Sequence, residues 1–245
     1  MLSPRSTFYR ILANTFIATL TNAFAWFCVT FWVFLETKSI LATSLIAGIF
    51  AVLNAVTSLF FGAIVDHNHK KPVMLGSSLF SLLAYGIAGI VYFTQLHDTV
   101  IQPSSLSLWI FIAVLMLGTV AGGLRNIALS TCVSILFPEG ERDKANGLVG
   151  TTNGISFACT SLFSGLVIGF LGMGVAISLT FGLTLLAILH LLVLTFPAQD
   201  IVVSEKTVRE KVDFSGTIKA IRLIPGMFAL IFFTTFNNFL GGIFM

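Results

Sequence analysis

Seven long apolar runs, separated by short clusters of charge, proline and small polar residues, make up most of the chain. Each is close to or above the length of about 20 residues that a helix needs to cross a hydrocarbon core of about 30 Å. The pattern predicts spans over residues 11–35, 44–65, 73–93, 106–133, 145–169 and 173–196, with a seventh beginning near Gly226. Pro4, Pro72, Pro103, Pro138, Pro197 and Pro225 all lie outside these runs, where a residue without an N–H does least damage to helix hydrogen bonding. The first run follows Arg5 and Arg10 as a signal peptide would. It is longer than a signal core and further spans follow it, so it reads as an uncleaved first helix.

The predicted fold class is therefore an all-α polytopic membrane protein. Residues 1–197 are expected to form a six-helix transmembrane lobe, 198–222 a charged cytoplasmic linker, and 223–245 the start of a second lobe, in a chain that reads as a fragment or truncated product.

Composition and charge sharpen this reading. Only 9% of residues are charged and 56% are apolar, against roughly 25% charged in an ordinary soluble domain, which excludes a soluble globular protein. A net charge of +3 is too small to point to nucleic acid. The cations are informative by position, because Lys and Arg concentrate in cytoplasmic loops. Arg5, Arg10, Lys70, Lys71, Arg142, Lys144, Lys206, Arg209, Lys211, Lys219 and Arg222 all fall on one side of the predicted topology. The opposite side holds Lys38, and Arg125 lies within a span. Both ends of the six-span lobe are thereby placed inside, in a cell membrane read as the bacterial cytoplasmic membrane. Cys28, Cys132 and Cys159 lie within apolar runs and read as small buried residues, not as a disulfide framework.

The chain also resembles itself. An offset of 103 residues lays Ala42–Val65 on Ala145–Ile168 with eight of 24 positions identical, and Thr57-Ser58-Leu59-Phe60-Phe61-Gly62 meets Thr160-Ser161-Leu162-Phe163-Ser164-Gly165. The same offset carries span one onto four and span three onto six. Three spans separate the copies, so they run in opposite directions, the inverted 3+3 repeat found in secondary transporters.

The connection after span two reads Gly62-Ala-Ile-Val-Asp66-His67-Asn68-His69-Lys70-Lys71-Pro72. Glycine there lets a neighbouring helix approach closely, and Asp66 suits a basic partner or a helix N-terminus. This stretch resembles the signature loop of the major facilitator superfamily through Gly62, Asp66, Lys70 and Lys71, with His67 and His69 departing from the pattern. The resemblance implies that these residues latch two lobes together on the cytoplasmic face; otherwise the loop only fixes topology. A second stretch, Phe137-Pro138-Glu139-Gly140-Glu141-Arg142-Asp143-Lys144-Ala145-Asn146-Gly147, is similar to the drug, macrolide and siderophore efflux branch. The Gly-Pro pair that such relatives carry in helix five is replaced by Thr160-Ser161.

Candidate transport residues follow from charge and periodicity. Burying an arginine costs about 2.5–3.5 kcal/mol even on an insertion scale. Arg125 therefore either faces a central cavity, the reading adopted, or snorkels to the interface. The resemblance implies the same cavity place for a helix-four arginine. The repeat sets Asn22 opposite Arg125. Thr15, Thr19, Asn22 and Trp26 share one helical face, and Asn146, Asn153, Thr160 and Ser164 form a second stripe. Such stripes either line a watery path or bind helices to one another. The candidate cavity set is Asn22, Arg125, Thr19, Trp26 and Asn153. His190, mid-span in helix six, reads as a structural or interfacial histidine and a poor proton-relay candidate.

The leading function is a secondary active transporter exporting a small amphipathic molecule by alternating access; the alternative is a membrane-embedded enzyme or a structural helical protein. Catalysis would require clustered His, Asp, Glu or Cys within the spans, and a pump a Gly-x-x-x-x-Gly-Lys motif. The sequence shows neither. No enzyme activity, cofactor or metal is expected. The expected partners are a small-molecule substrate, the lipid bilayer, a C-terminal lobe and a proton as coupling ion, carried by Glu36 or by the second half.

Overall fold

The computed structural model describes residues 4–97, 99–196, 219 and 221–243. Helix α1 spans Pro4–Thr37, α2 Ile40–His67, α3 Lys70–Val91 and α4 Leu106–Leu136. A π-helical turn, Tyr92–Leu96, extends α3. The next helix, Glu139–Val193, is 55 residues long, about 80 Å if straight and far more than one bilayer crossing. Gly172, with φ 78° and ψ 176°, breaks it, giving α5 (139–171) and α6 (173–193). The six spans expected in 1–197 are therefore all present, and no strand occurs among the described residues.

Local chemistry sets the boundaries. Pro4 and Pro72 sit in the first turns of α1 and α3, and Pro138 immediately precedes α5, positions at which a missing N–H has no helical partner to lose. Lys38 (φ 51°) turns the chain between α1 and α2, and the Ser39 side chain accepts from the Ala42 amide at 3.2 Å to cap α2. Gly172 occupies backbone space essentially closed to other residues. Gly172→Ala should destabilise the lobe by about 1–3 kcal/mol. Gly169→Ala is the control: Gly169 is an ordinary helical residue, and nothing lies within 4 Å of an added Cβ. Thermal unfolding of both in nanodiscs checks the difference.

The chain divides into two compact units, Met1–Val203 and Ser204–Met245. In the second unit, Gly226 (φ +81°) precedes the 17-residue helix α7, Met227–Ile243. The expected linker, 198–222, lies outside the described residues apart from 219, 221 and 222, as do Lys206, Arg209 and Lys211.

Within the first unit, α1 contacts α2, α4 and the α5–α6 pair, and α4 contacts α1, α2, α3 and that pair. Contact between α1 and α5 includes Phe27 on Phe157, ring centroids 5.1 Å apart. Apolar side chains turned away from these contacts, among them Phe60, Leu83, Ile90, Leu162 and Phe170, are exposed, as suits a protein whose surrounding solvent is lipid.

Lipid tails are as apolar as leucine, so the helices are held by close approach and hydrogen bonds. Ser77 Oγ and Ser81 Oγ on α3 donate to the Ala121 and Gly118 carbonyls on α4, both at 2.7 Å. A Cβ on Gly118 would lie 2.8 Å from the Tyr85 ring. Where α1 crosses α4, Asn22 occupies the space a Cβ on Gly122 would need. Under the 103-residue offset the Asn22–Gly122 contact would become Thr19 against Arg125. The structure has Thr19 Oγ1 donating to Asn126 Oδ1 at 3.1 Å, one residue from the exchanged position.

Candidate functional site

The buried apolar residues form two separate clusters. One gathers Phe8, Ile11, Met74, Leu129 and Leu191 at the end of the lobe that carries the α1 N-terminus. The other gathers Phe24, Trp32, Tyr85, Phe111 and Ile177 toward the opposite end. Along the helices between them lie the buried polar residues Asn14, Thr15, Thr21, Ser77, Ser78, Ser81, Thr119, Ser156, Thr160, Ser164, Thr180 and Thr184, mixed with the apolar Ala18, Ala84 and Val120, and Arg125 joins them from beside Leu124 and Ala128 of the first cluster.

Arg125 carries the only charge among these side chains. It is 2% exposed, so its head group stays inside the lobe and does not run to an interface. One terminal nitrogen donates to Ser78 Oγ on α3 and the other to Asn14 Oδ1 on α1. Asn14 Nδ2 in turn reaches the Ala187 carbonyl at 2.8 Å and His190 Nδ1 at 3.1 Å, both on α6. One guanidinium thus ties together α1, α3 and α4, and Asn14 extends the tie to α6. Both of its partners are neutral, and its Nε has none. A cavity of about 10 Å³ adjoins it, lined by Asn22, Ser81, Gly122 and Thr184 among others, room for about one water molecule.

The remaining candidates are placed as follows. Asn22 accepts from Tyr85 Oη at 2.8 Å, linking α1 to α3 beside the same cavity. Thr19 is tied to Asn126 at the α1–α4 crossing. Trp26 stacks on Phe50 of α2, centroids 4.0 Å apart and planes 16° from parallel, and is half-buried. Asn153 is half-buried on α5 and not part of the arginine network. Thr160 and Ser164 are buried and donate to carbonyls of their own helix. Asn22 and Arg125 therefore share one site, whereas Trp26 and Asn153 stand apart from it.

The loop motif is organised by helix ends. Asp66 is exposed on the last turn of α2, and Gly62 is half-buried one turn earlier with nothing within 4 Å of an added Cβ. Lys70 is fully buried, donating to the Val65 and Asn68 carbonyls at 2.6 and 3.1 Å. Lys71 reaches across to α6 and donates to the Leu192 and Leu194 carbonyls at 2.9 and 2.6 Å. Each ammonium therefore satisfies carbonyls left over at a helix C-terminus, where positive charge is favoured. Arg142 does the same for α4, donating to Ser134 and Phe137 carbonyls. Arg5 pairs with Glu141 at 2.8 Å, joining the first turns of α1 and α5.

The sequence reading missed Asn14 and Ser78. The signal was present: Asn14 stands two turns before Asn22 on the same face, and Ser77, Ser78 and Ser81 cluster within one apolar span. Among the described residues no group of three or more His, Cys, Asp or Glu is arranged to hold a metal ion.

The comparisons agree with the architecture. No curated protein matches the chain. A model of the Major Facilitator Superfamily matches residues 13–245, nearly the whole sequence, and the chain therefore belongs to that superfamily of membrane transporters.

Proposed function

We propose that this transporter works by secondary active transport, exporting a small amphipathic molecule, and that a C-terminal lobe completes the path by packing against the exposed faces of α2 and α5. The buried polar residues around Arg125 carry the reading. They lie inside a bundle read as inverted repeats, where alternating access needs its binding layer. The α2 and α5 faces support the second part. Small residues recur at repeat-related positions, Ala51 with Gly154, Ala55 with Ala158, Ser58 with Ser161 and Gly62 with Gly165. None of these eight is buried within the lobe, and small residues are what closely packed membrane helices place between them. Asp66 at the end of α2 is positioned to latch that face to its partner, on the cytoplasmic side by the distribution of Lys and Arg. The protein sits in the bacterial cytoplasmic membrane with its N-terminus inside on this reading.

Efflux from cells expressing the transporter tests it. A panel of amphipathic fluorophores should include at least one whose accumulation falls severalfold on expression and recovers when a protonophore collapses the proton gradient. Equal accumulation of every probe with and without the protein would contradict the export reading.

A further inference from the structure

The donors and acceptors around Asn14 fix the protonation state of His190. A guanidinium only donates and a carbonyl only accepts, so the Asn14 amide has a single orientation: Oδ1 toward Arg125, Nδ2 toward the Ala187 carbonyl. The nitrogen that meets His190 Nδ1 at 3.1 Å is therefore a donor. Nδ1 must accept, and the ring is the neutral tautomer with its proton on Nε2. Adding a proton at Nδ1 sets two donors against each other. Rotating the amide to relieve that would point its NH₂ at Arg125 and its oxygen at the Ala187 carbonyl.

On the helices packed against the 139–193 segment, the charged residues toward this end of the lobe are Arg5 and Arg10 on α1, Lys70 and Lys71 on α3 and Arg125 on α4, while α5 itself brings Glu139, Glu141, Arg142, Asp143 and Lys144. His190 is half-buried and about one turn from the end of α6, close enough to the basic face of the lobe for proton exchange.

The geometry points to His190 as a proton-binding site of the lobe, coupled antagonistically through Asn14 to the charge on Arg125. Proton uptake breaks the Asn14 bridge and releases the arginine from α1. Reciprocally, an anionic group that neutralises Arg125 raises the proton affinity of His190. This deepens the transport reading and rests on it for the use of the proton, while the coupling itself is measurable without transport.

The test is nitrogen NMR of the full chain in lipid nanodiscs with labelled His and Arg. The His190 signal is identified by its loss in His190→Gln, and the Arg125 Nε signal by its loss in Arg125→Gln. Above its transition His190 should show the Nε2–H tautomer, and on acidification the Arg125 Nε signal should move with the same midpoint. In His190→Gln, whose amide oxygen can still accept from Asn14, the arginine signal should not move over that range. The Nδ1–H tautomer, different midpoints in the unmodified chain, or an arginine transition that persists in His190→Gln would overturn the coupling. A coupled transition beside transport indifferent to pH would leave the site standing and remove the proton as driving ion.

Discussion

Arg125→Lys is expected to lower transport by at least tenfold, although the charge is kept. The guanidinium holds Ser78 and Asn14 with two nitrogens of one rigid plane, whereas a lysine ammonium is a point donor that cannot span both acceptors in that geometry. Losing one hydrogen bond to a charged group is worth about 1.5–3 kcal/mol, about one to two orders of magnitude in any step that needs the network intact. Arg125→Ala should insert at least as well as the parent, because the expense of about 2.5–3.5 kcal/mol for an intramembrane charge disappears, and yet transport little. Expression and efflux of the two variants check this together. Full activity in Arg125→Lys would remove the arginine from the mechanism.

Gly122→Ala should be nearly as damaging for a steric reason. Its new Cβ would fall 1.8 Å from Asn22 Nδ2, so α1 must retreat from α4 or Asn22 must leave its place. Either response breaks the Tyr85–Asn22 hydrogen bond and opens the layer next to Arg125. Overpacking of this kind costs about 1–3 kcal/mol, and the altered crossing should reduce transport further. The neighbour supplies the control, since a Cβ on Gly123 meets nothing nearer than Asn54 Oδ1 at 4.0 Å. Gly123→Ala should therefore unfold at the parent temperature in nanodiscs and transport normally. Equal behaviour of the two alanine variants would mean that the α1–α4 crossing tolerates slack.

The fold was largely legible because the bilayer imposes a length and a polarity on every helix. The break at Gly172 falls between the spans read as 145–169 and 173–196, and Pro4, Pro72, Pro103, Pro138 and Pro225 stand at helix starts or in connections. The candidate site was legible only in part. Arg125 and Asn22 stood out, one as an intramembrane charge and the other through the repeat. Asn14 and Ser78 did not, because a single polar side chain in an apolar run has the same pattern whether it binds a neighbouring helix or a functional group. Which polar residues meet depends on how four helices are rotated about their axes, and hydropathy does not record rotation. His190 read as structural or interfacial because helix six of the resembled family packs at the outer side; only the packing of α1 on α6 brings it within reach of Asn14. Lys70 and Lys71 were readable as loop cations, but the leftover carbonyls of α2 and α6 that they satisfy become visible only in three dimensions.

The central claim is that the layer at the α1–α4 crossing is the part of the protein that opens alternately to each side of the membrane. A cysteine at Thr19, half-buried at that crossing beside Asn126, tests it most directly once Cys28, Cys132 and Cys159 are replaced. The measurement is its labelling by a membrane-impermeant thiol reagent, applied from one side at a time to right-side-out and inverted vesicles, with and without a transported molecule. The account predicts labelling from both sides, slowed several-fold from each when the transported molecule is present. A thiol that reacts from one side only, or from both sides with no protection, would contradict it.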